Sequence, residues 1–582
     1  MPNGISKFRM KIKFLLLVTT AILLLVGCSN GKTTPSPTPT ETPSPTQPAV
    51  TQALVAESSA TATLLPVIVD TTGGQSVGII TFSMGEAGYQ HLYAYHPNFL
   101  PISRLTNGQW DDIDPAVSPD GSRLVFSSNR SGIWDLYLWD LTTNTIRQLT
   151  NSPEIETNPD WSPDNQWITY ESYTNFQTNI VIRSVTDPAS PPIQLTEGVG
   201  NNYDPAWSPQ GRQVAFSTDR SGRSEVWLAQ LDTAENRFIV VAGDEDADFL
   251  QPVWSPDGSM LAWERRSNIS TIEVWSVADE MGTRNTIGTG QSPFWSADGA
   301  ILLTGVDTPN QFFLTGYAVS NEVPVYPLIA LPAKAAAFHW SGGDSFKNII
   351  AILSSQGVTN YETRCQSEHT TPPGSTGRFS LVNLDSVTAP NPMLSDTADE
   401  CFVLLRAAIG EKIGWDLLAI LENSTLPLTT APDPAIPQNW LYTGRAIALN
   451  IAPLQAGWMA VSREDYQGEV YWRIWAKCLR QDGSCGLPLT TPVWDFSARA
   501  SGNLAAFEAG GKQVKPPAGF WIDITDIALQ YEWQRLPSLN IWRSYYPGIL
   551  FNTWVFPQGK SWHQAMLELY PEDAISLVES GK

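Results

Sequence analysis

Histidine is scarce, with five in 582 residues. They are His91, His96, His339, His369 and His563, and none sits in an H-E-x-x-H pair, which excludes the usual helical zinc signature. Basic residues are also few: 35 Lys and Arg stand against 58 Asp and Glu, a formal charge of −23. So acidic a chain repels phosphate backbones, and no basic patch reverses that locally, so a nucleic-acid partner is not expected. The second half has no G-x-S-x-G, which argues against an attached serine peptidase with a nucleophile elbow. No glycine-rich dinucleotide fingerprint follows a strand and no Walker sequence is present, so no cofactor is expected. Catalytic, cofactor-binding and metal-ligating residues are therefore left unassigned.

Long apolar runs are absent but for one, "FLLLVTTAILLLVG" at residues 14–27. It follows Lys7, Arg9, Lys11 and Lys13 and leads into "LVGC", with Cys28 last. Basic region, short apolar core and small residue stand in the order of a secretory leader. The ending resembles the lipobox of bacterial lipoproteins. That resemblance implies removal of residues 1–27, diacylation of Cys28 and an extracytoplasmic protein anchored by lipid to the cell membrane. Residues 28–75 then read as a linker rich in Pro and Thr ("TTPSPTPTETPSPTQP"). Such a composition stays extended and solvated, at about 3.1 Å per residue.

From residue 76 the chain rewrites one phrase: "DPAVSPDGSRLVFSSNRSG" at Asp114, "NPDWSPDNQWITYES" at Asn158, "DPAWSPQGRQVAFSTDRSG" at Asp204 and "QPVWSPDGSMLAWER" at Gln251. Pro presets φ in the turn, Asp bonds its own backbone and Gly takes a positive φ. Strand candidates flank each turn, and four short strands per unit is the pattern of a propeller blade. The turn serines, Ser118, Ser162, Ser208, Ser255, Ser296 and Ser341, lie 44, 46, 47, 41 and 45 residues apart, a blade-like period. The residue before each, Val117, Trp161, Trp207, Trp254, Trp295 or Trp340, reads as core wedged between blades rather than a ring of ligand-stacking tryptophans.

These motifs resemble the TolB-like, WD40-like (PD40) β-propellers, over residues 76–390. The fifth copy, "SPFWSADG", lacks the second Pro, and the sixth, "AFHWSGGD", loses the Pro-Asp-Gly order. "VGIITFSMG", "QHLYAYH" and "ISRLT" supply three strands ahead of the first copy, so a later strand could close the ring as a clasp. The family analogy implies six blades, with seven open.

Residues 391–582 read as an α+β domain of no recognised family. A helical stripe of Phe402, Leu405, Ile409 and Ile413, a capped helix at Asp523 and a last short helix at Ser561 surround strand candidates at Ala446, Gly457 and Glu469. "MAVSREDYQGEVYWRIWA" and "PVWDFSARASGNLAAFEA" have the cadence of propeller hairpins, so a larger all-β ring with inserted helices competes. "GRAIALN" at Gly444 and "SWH" at Ser561 faintly resemble the zinc-ligand motifs of D,D-carboxypeptidase-type peptidases, but the first lacks both the His and the Asp. Acidic residues Asp416, Glu422, Glu464, Asp465, Asp495 and Asp523 could hide a glycosidase pair, though a solvated acidic surface reads better. Apart from Cys28, four cysteines remain: Cys365, Cys401, Cys478 and Cys485. An even number in an exported chain invites two disulfides, and "CLRQDGSC" puts a turn between Cys478 and Cys485.

The expected work is binding or scaffolding, with a protein, peptide or envelope glycan held in the propeller mouth or at the domain junction. The alternative is an extracellular carbohydrate- or cell-wall-acting enzyme with its active site in the C-terminal domain.

Overall fold

The computed structural model describes residues 78–579, apart from 97–99, 199, 234, 268, 280–281, 343, 357–360, 362–364 and 366–376. The leader, Cys28, the linker and His369 lie outside the described residues.

Six four-stranded antiparallel sheets form a closed ring. The first blade takes β1 (Gly78–Glu86), β2 (Tyr89–His96) and β3 (Leu100–Arg104), and is completed by Ala335–Gly342, which pairs with β1. The divergent sixth copy of the repeat is thus the clasp, and its Trp340 packs beside Ile80 and Phe82 of β1. The inner strands of the other five blades are Asp112–Val117, Ile155–Trp161, Asn202–Trp207, Asp248–Trp254 and Gln291–Trp295. Each touches the next around the circle, and the clasp strand touches both its neighbours. A larger ring is ruled out because the sixth sheet closes it.

The repeated turn works through local bonds. In the second blade Ser118 Oγ donates to Asp120 Oδ1 at 2.6 Å, Gly121 N–H donates to Ser118 O at 2.8 Å, and Gly121 has a φ of +69°. Ser255, Asp257 and Gly258 repeat the arrangement. The tryptophans before these turns are buried, and three bond across to the preceding blade: Trp161 Nε1 to Ala116 O, Trp254 Nε1 to Ala206 O and Trp295 Nε1 to Val253 O, at 3.0–3.1 Å. They are inter-blade core.

Helix α1 (Asp344–Gln356) packs Ile349, Ile352 and Leu353 into the core shared by the first two blades. The C-terminal half mixes helices and strands. Its α2 (Asp399–Ile413) buries Phe402, Leu405, Ile409 and Ile413, the expected stripe, and ends at Gly414 in the left-handed region. That stripe shares a core with Trp472 and Trp554 of two four-stranded sheets and with Trp533 and Phe556 beside their strands. After α3 (Ala452–Gln455), the strands Met459–Tyr466 and Glu469–Lys477 form a hairpin, as their cadence suggested, but within this half. The second suspected hairpin is not one. Residues 493–495 are a short strand, followed by a 3-10 turn and α4 (Leu504–Ala509), whose N-cap Asn503 accepts from Ala506 N–H. Asp523 caps α5 (Ile524–Gln530) through the N–H groups of Thr525 and Asp526. Ser561 and Gln564 form a capping box on α6 (Trp562–Leu567). The helix after Ser561 is not the last: α7 (Glu572–Glu579) follows directly on Pro571, where a Pro just ahead of the first turn costs no hydrogen bond.

Candidate functional site

Side chains alternate across a strand, so Tyr89, His91 and Tyr93 share one face of β2. Opposite them in register, Glu86 faces Tyr89 on β1 and Arg104 faces Tyr93 on β3. The polar end of the first blade therefore carries Glu86, Tyr89, His91 and Arg104 on a single surface. Helix α2 lies over it. Leu404, Ala407, Ala408 and Glu411 recur at helical spacing on a second stripe, distinct from the stripe that faces the helix's own core. Together with Gln109 and Tyr531 these residues enclose a half-open cleft of about 220 Å³ between the propeller and the C-terminal half.

The cleft is held by bonds that cross the junction. Tyr89 O–H donates to Glu411 Oε1 at 2.7 Å, and Gly88 N–H donates to Gln530 Oε1 at 3.0 Å. Lys412 pairs with Asp111 and places its ammonium 4.4 Å from the centre of the Tyr89 ring. Inside, Glu86 Oε2 takes an ion pair from Arg104 at 2.9 Å and a hydrogen bond from the Tyr93 hydroxyl. Burial, with Glu411 adding, pushes the Tyr89 hydroxyl well above its usual range, and burial with Glu86 does the same to Tyr93. His91 is 5% exposed, and its Nδ1 has no hydrogen-bond partner among the described residues. Burial is the main cause that lowers its pKa; Arg104 adds to it, while Asp112, Glu86 and Asp111 oppose. The ring is therefore neutral near pH 7 and carries one lone pair.

The hub of the ring is the other polar centre. Asn158 N–H meets Asp114 Oδ2 at 3.2 Å, Asp204 N–H meets Glu171 Oε1 at 2.8 Å, and Gln251 N–H meets Asp204 Oδ2 at 3.0 Å. Burial raises these carboxyls, Asp114 to about 6 and Glu171 to about 8. Each carboxyl ties a strand of one blade to the bulge of the next, so the hub acids do structural work.

The acidic residues weighed in the second half do not face one another across a cleft. Asp416 pairs with Arg406, Asp465 with Arg463, and Glu422 accepts from Asn552. Asp495 caps a 3-10 turn. Glu464 and Asp523 do converge, but on the buried guanidinium of Arg473. His563 of the "SWH" segment lies between Glu572 at 3.3 Å and Glu579 at 3.5 Å. The chain joins Cys365 to Cys401 and Cys478 to Cys485, the latter pair with Cα atoms 6.0 Å apart.

Sequence reasoning passed over Glu86, Tyr89, Arg104, Glu411 and Tyr531, and noted His91 only in a count. The legible signal was the second stripe on α2, masked because two of its members are alanines and one is charged.

A model of the TolB β-propeller domain matches residues 101–189, the span of the second blade and most of the third. The ring is a TolB-like β-propeller. Among curated proteins, a TolB homolog of Chlorobium luteolum is 29% identical over 194 residues, 33% of this chain and 33% of its own length. An uncharacterized peptidase, YuxL of Bacillus subtilis, is 34% identical over 92 residues, 16% of this chain and 13% of its own. The chain thus spans a third or less of these relatives. The solved TolB of Acinetobacter baumannii aligns with 46% of this chain and 67% of its own at 16% identity, with a TM-score of 0.40. In this TolB-like protein the cleft opens where the ring's closing blade meets the appended half.

Proposed function

We propose that the protein is a binding module of the bacterial envelope, lipid-anchored through Cys28 and extended on its Pro/Thr-rich tether, which holds a protein, peptide or glycan partner against the first blade. The observation that carries this reading is the cleft, walled on one side by the propeller and on the other by α2, with polar groups converging on a small apolar floor. The curated TolB relatives, three of them named for the Tol-Pal system, support a protein partner. The likeness to YuxL gives weight to an enzyme, but the second half of this chain has no G-x-S-x-G, and the six acids weighed there are held by ion pairs, an amide and a cap.

The test is a photo-crosslinking residue placed in the full lipoprotein in its own envelope. At exposed Gln109, beside the cleft, it should give a discrete adduct; at exposed Glu235, on the blade opposite, it should give none. Equal labelling at both positions, or none at Gln109, would refute the reading. Membrane fractionation of Cys28→Ala in the same cells should release the protein.

A further inference from the structure

Three features of the junction cleft specify the group it would hold. The first is charge. Of its lining carboxylates, Glu86 is already matched by Arg104, whereas Glu411 has the Tyr89 hydroxyl as its partner and no cation within ion-pair distance among the described residues. Lys412, the next residue, is engaged by Asp111 instead. The cleft therefore carries one carboxylate in excess, on a protein whose formal charge is −23. Such a site attracts cations and repels anions.

The second is the orphan atom. A buried polar atom without a partner costs free energy that a ligand can recover. Nδ1 of His91 is such an atom, on a 95%-buried ring lining the cleft. In the tautomer with the proton on Nε2 this nitrogen accepts a hydrogen bond, and the excess negative charge of the cleft favours an N–H donor over a carboxylate as its complement. The third is shape. Ala87, Leu404, Ala407 and Ala408 give an apolar wall, and the volume of about 220 Å³ suits one side-chain-sized group, not a chain of sugars. The Tyr89 ring already accommodates the ammonium of Lys412.

We propose that the cleft binds a primary ammonium carried on a short aliphatic stem, with Glu411 as the counter-ion, His91 as a hydrogen-bond acceptor and the α2 alanines against the stem. This rests on the binding role assigned to the cleft. A lysine side chain of a partner protein and a free diamine share that chemistry.

Calorimetric titration of the purified folded protein decides it, with four defined probes. N-acetyl-lysine amide represents the protein source and 1,5-diaminopentane the free amine. N-acetyl-norleucine amide keeps the stem without the charge, and N-acetyl-glutamate amide reverses the charge. The lysine probe, the diamine or both should bind at least tenfold more tightly than the norleucine probe, and the glutamate probe should not bind. Tighter binding of the lysine probe than of the diamine identifies a peptide source, and the reverse a free amine. Glu411→Gln, an exposed position on α2, should cost the amines tenfold or more and leave the norleucine probe unchanged. Ala407→Phe, also exposed, should fill the cleft and abolish all binding, with the melting temperature of both variants checked against the parent. Failure of both amines to bind the parent protein, or equal affinity for norleucine, overturns the proposal. If that happens while Gln109 still crosslinks a partner, the cleft is a binding site for other chemistry; if crosslinking fails too, the binding role itself falls.

Discussion

At the scale of single residues, the ring is built on a strained position that recurs once per blade. Asp114, Asn158, Asp204, Gln251, Ser292 and Ala337 all have φ between +51° and +54°, each at an irregularity of an inner strand. Such an extra residue makes a β-bulge, which re-aims the strand and sharpens its twist. The left-handed conformation is tolerated by Asn and Asp and costs other L-residues roughly 1–2 kcal/mol. This explains why the motif begins with Asp or Asn in its best copies. The copies that begin with Gln251, Ser292 and Ala337 carry the strain without that relief. Ala337→Gly should therefore stabilise the protein. The relieved strain, about 1–2 kcal/mol, exceeds the extra freedom glycine gives the unfolded chain, about 0.4–1 kcal/mol. Urea unfolding should show a higher midpoint with an unchanged slope, a gain in stability of up to about 1 kcal/mol. Asn158→Gly, starting from a tolerated residue that also bonds Glu171 and Asp204, should instead destabilise. A loss of stability in Ala337→Gly would mean that the bulge is not strained.

At the scale of elements, what could be read in the sequence was whatever local chemistry decides. The "SPDG" turns, the three leading strands, the capped α5 and the buried stripe of α2 each depend on neighbours within a few residues, and each forms where expected. The bulges were not read, because a residue before Pro ordinarily favours extended backbone with negative φ. The "SARASG" segment misled because its Ser and Gly suggest a hairpin, whereas Asn503 caps a helix that the turn residues merely introduce. The cleft was invisible for a different reason. Its residues come from β1, β2, β3, α2 and the end of α5, and only tertiary packing brings them together. The segment "CLRQDGSC" shows both sides. Its turn was legible, with Asp482 Oδ1 accepting from Ser484 N–H at 3.0 Å. Its role was not: Gly483 packs against Ile155, and Gly486 O accepts from Trp134 Nε1 at 2.9 Å, so the loop is a contact between ring and C-terminal half. Breaking the Cys478–Cys485 link should thus loosen the junction as well as the loop. Cys478→Ala with Cys485→Ala should lower stability by about 2–3 kcal/mol, the chain-entropy value for so short a loop. Hydrogen exchange should rise at Trp134 and Ile155 in the ring. Peptide mapping without reductant that finds both thiols free in the native protein would remove the basis of this expectation.

At the scale of the molecule, the ring and the C-terminal half are bound by a buried ionic cluster. Arg473 contacts Asp523 at 2.6 Å, Asp307 of the sixth blade at 3.2 Å, and Glu464. Arg535 also reaches Glu464 and bonds Pro309 O through Nε at 3.0 Å, while Lys334 meets Asp307 at 3.0 Å. Both arginines are almost wholly buried, and parting the halves would break the Arg473–Asp307 ion pair and the Arg535–Pro309 hydrogen bond. Heating should therefore give one cooperative transition for both halves. Burial alone would raise the Glu464 carboxyl, but Arg473 and Arg535 outweigh it and hold it far below its usual range. A carboxyl so depressed contributes stability above its unfolded pKa, about 4.3, and that contribution is lost as pH falls through the folded value. Arg473→Met would leave Glu464, Asp523 and Asp307 facing one another with one counter-charge fewer. Removing one partner of a buried ion pair typically costs about 3–5 kcal/mol. The cost falls at the junction, so the single transition should split in two, with the C-terminal half melting first. The loss should shrink as pH is lowered towards 4, where the stranded carboxyls take up protons and their repulsion fades. Scanning calorimetry of Arg473→Met at pH 7 and pH 4.5 measures both effects. A single transition displaced equally at the two pH values would show that the cluster merely fills space and does not couple the halves.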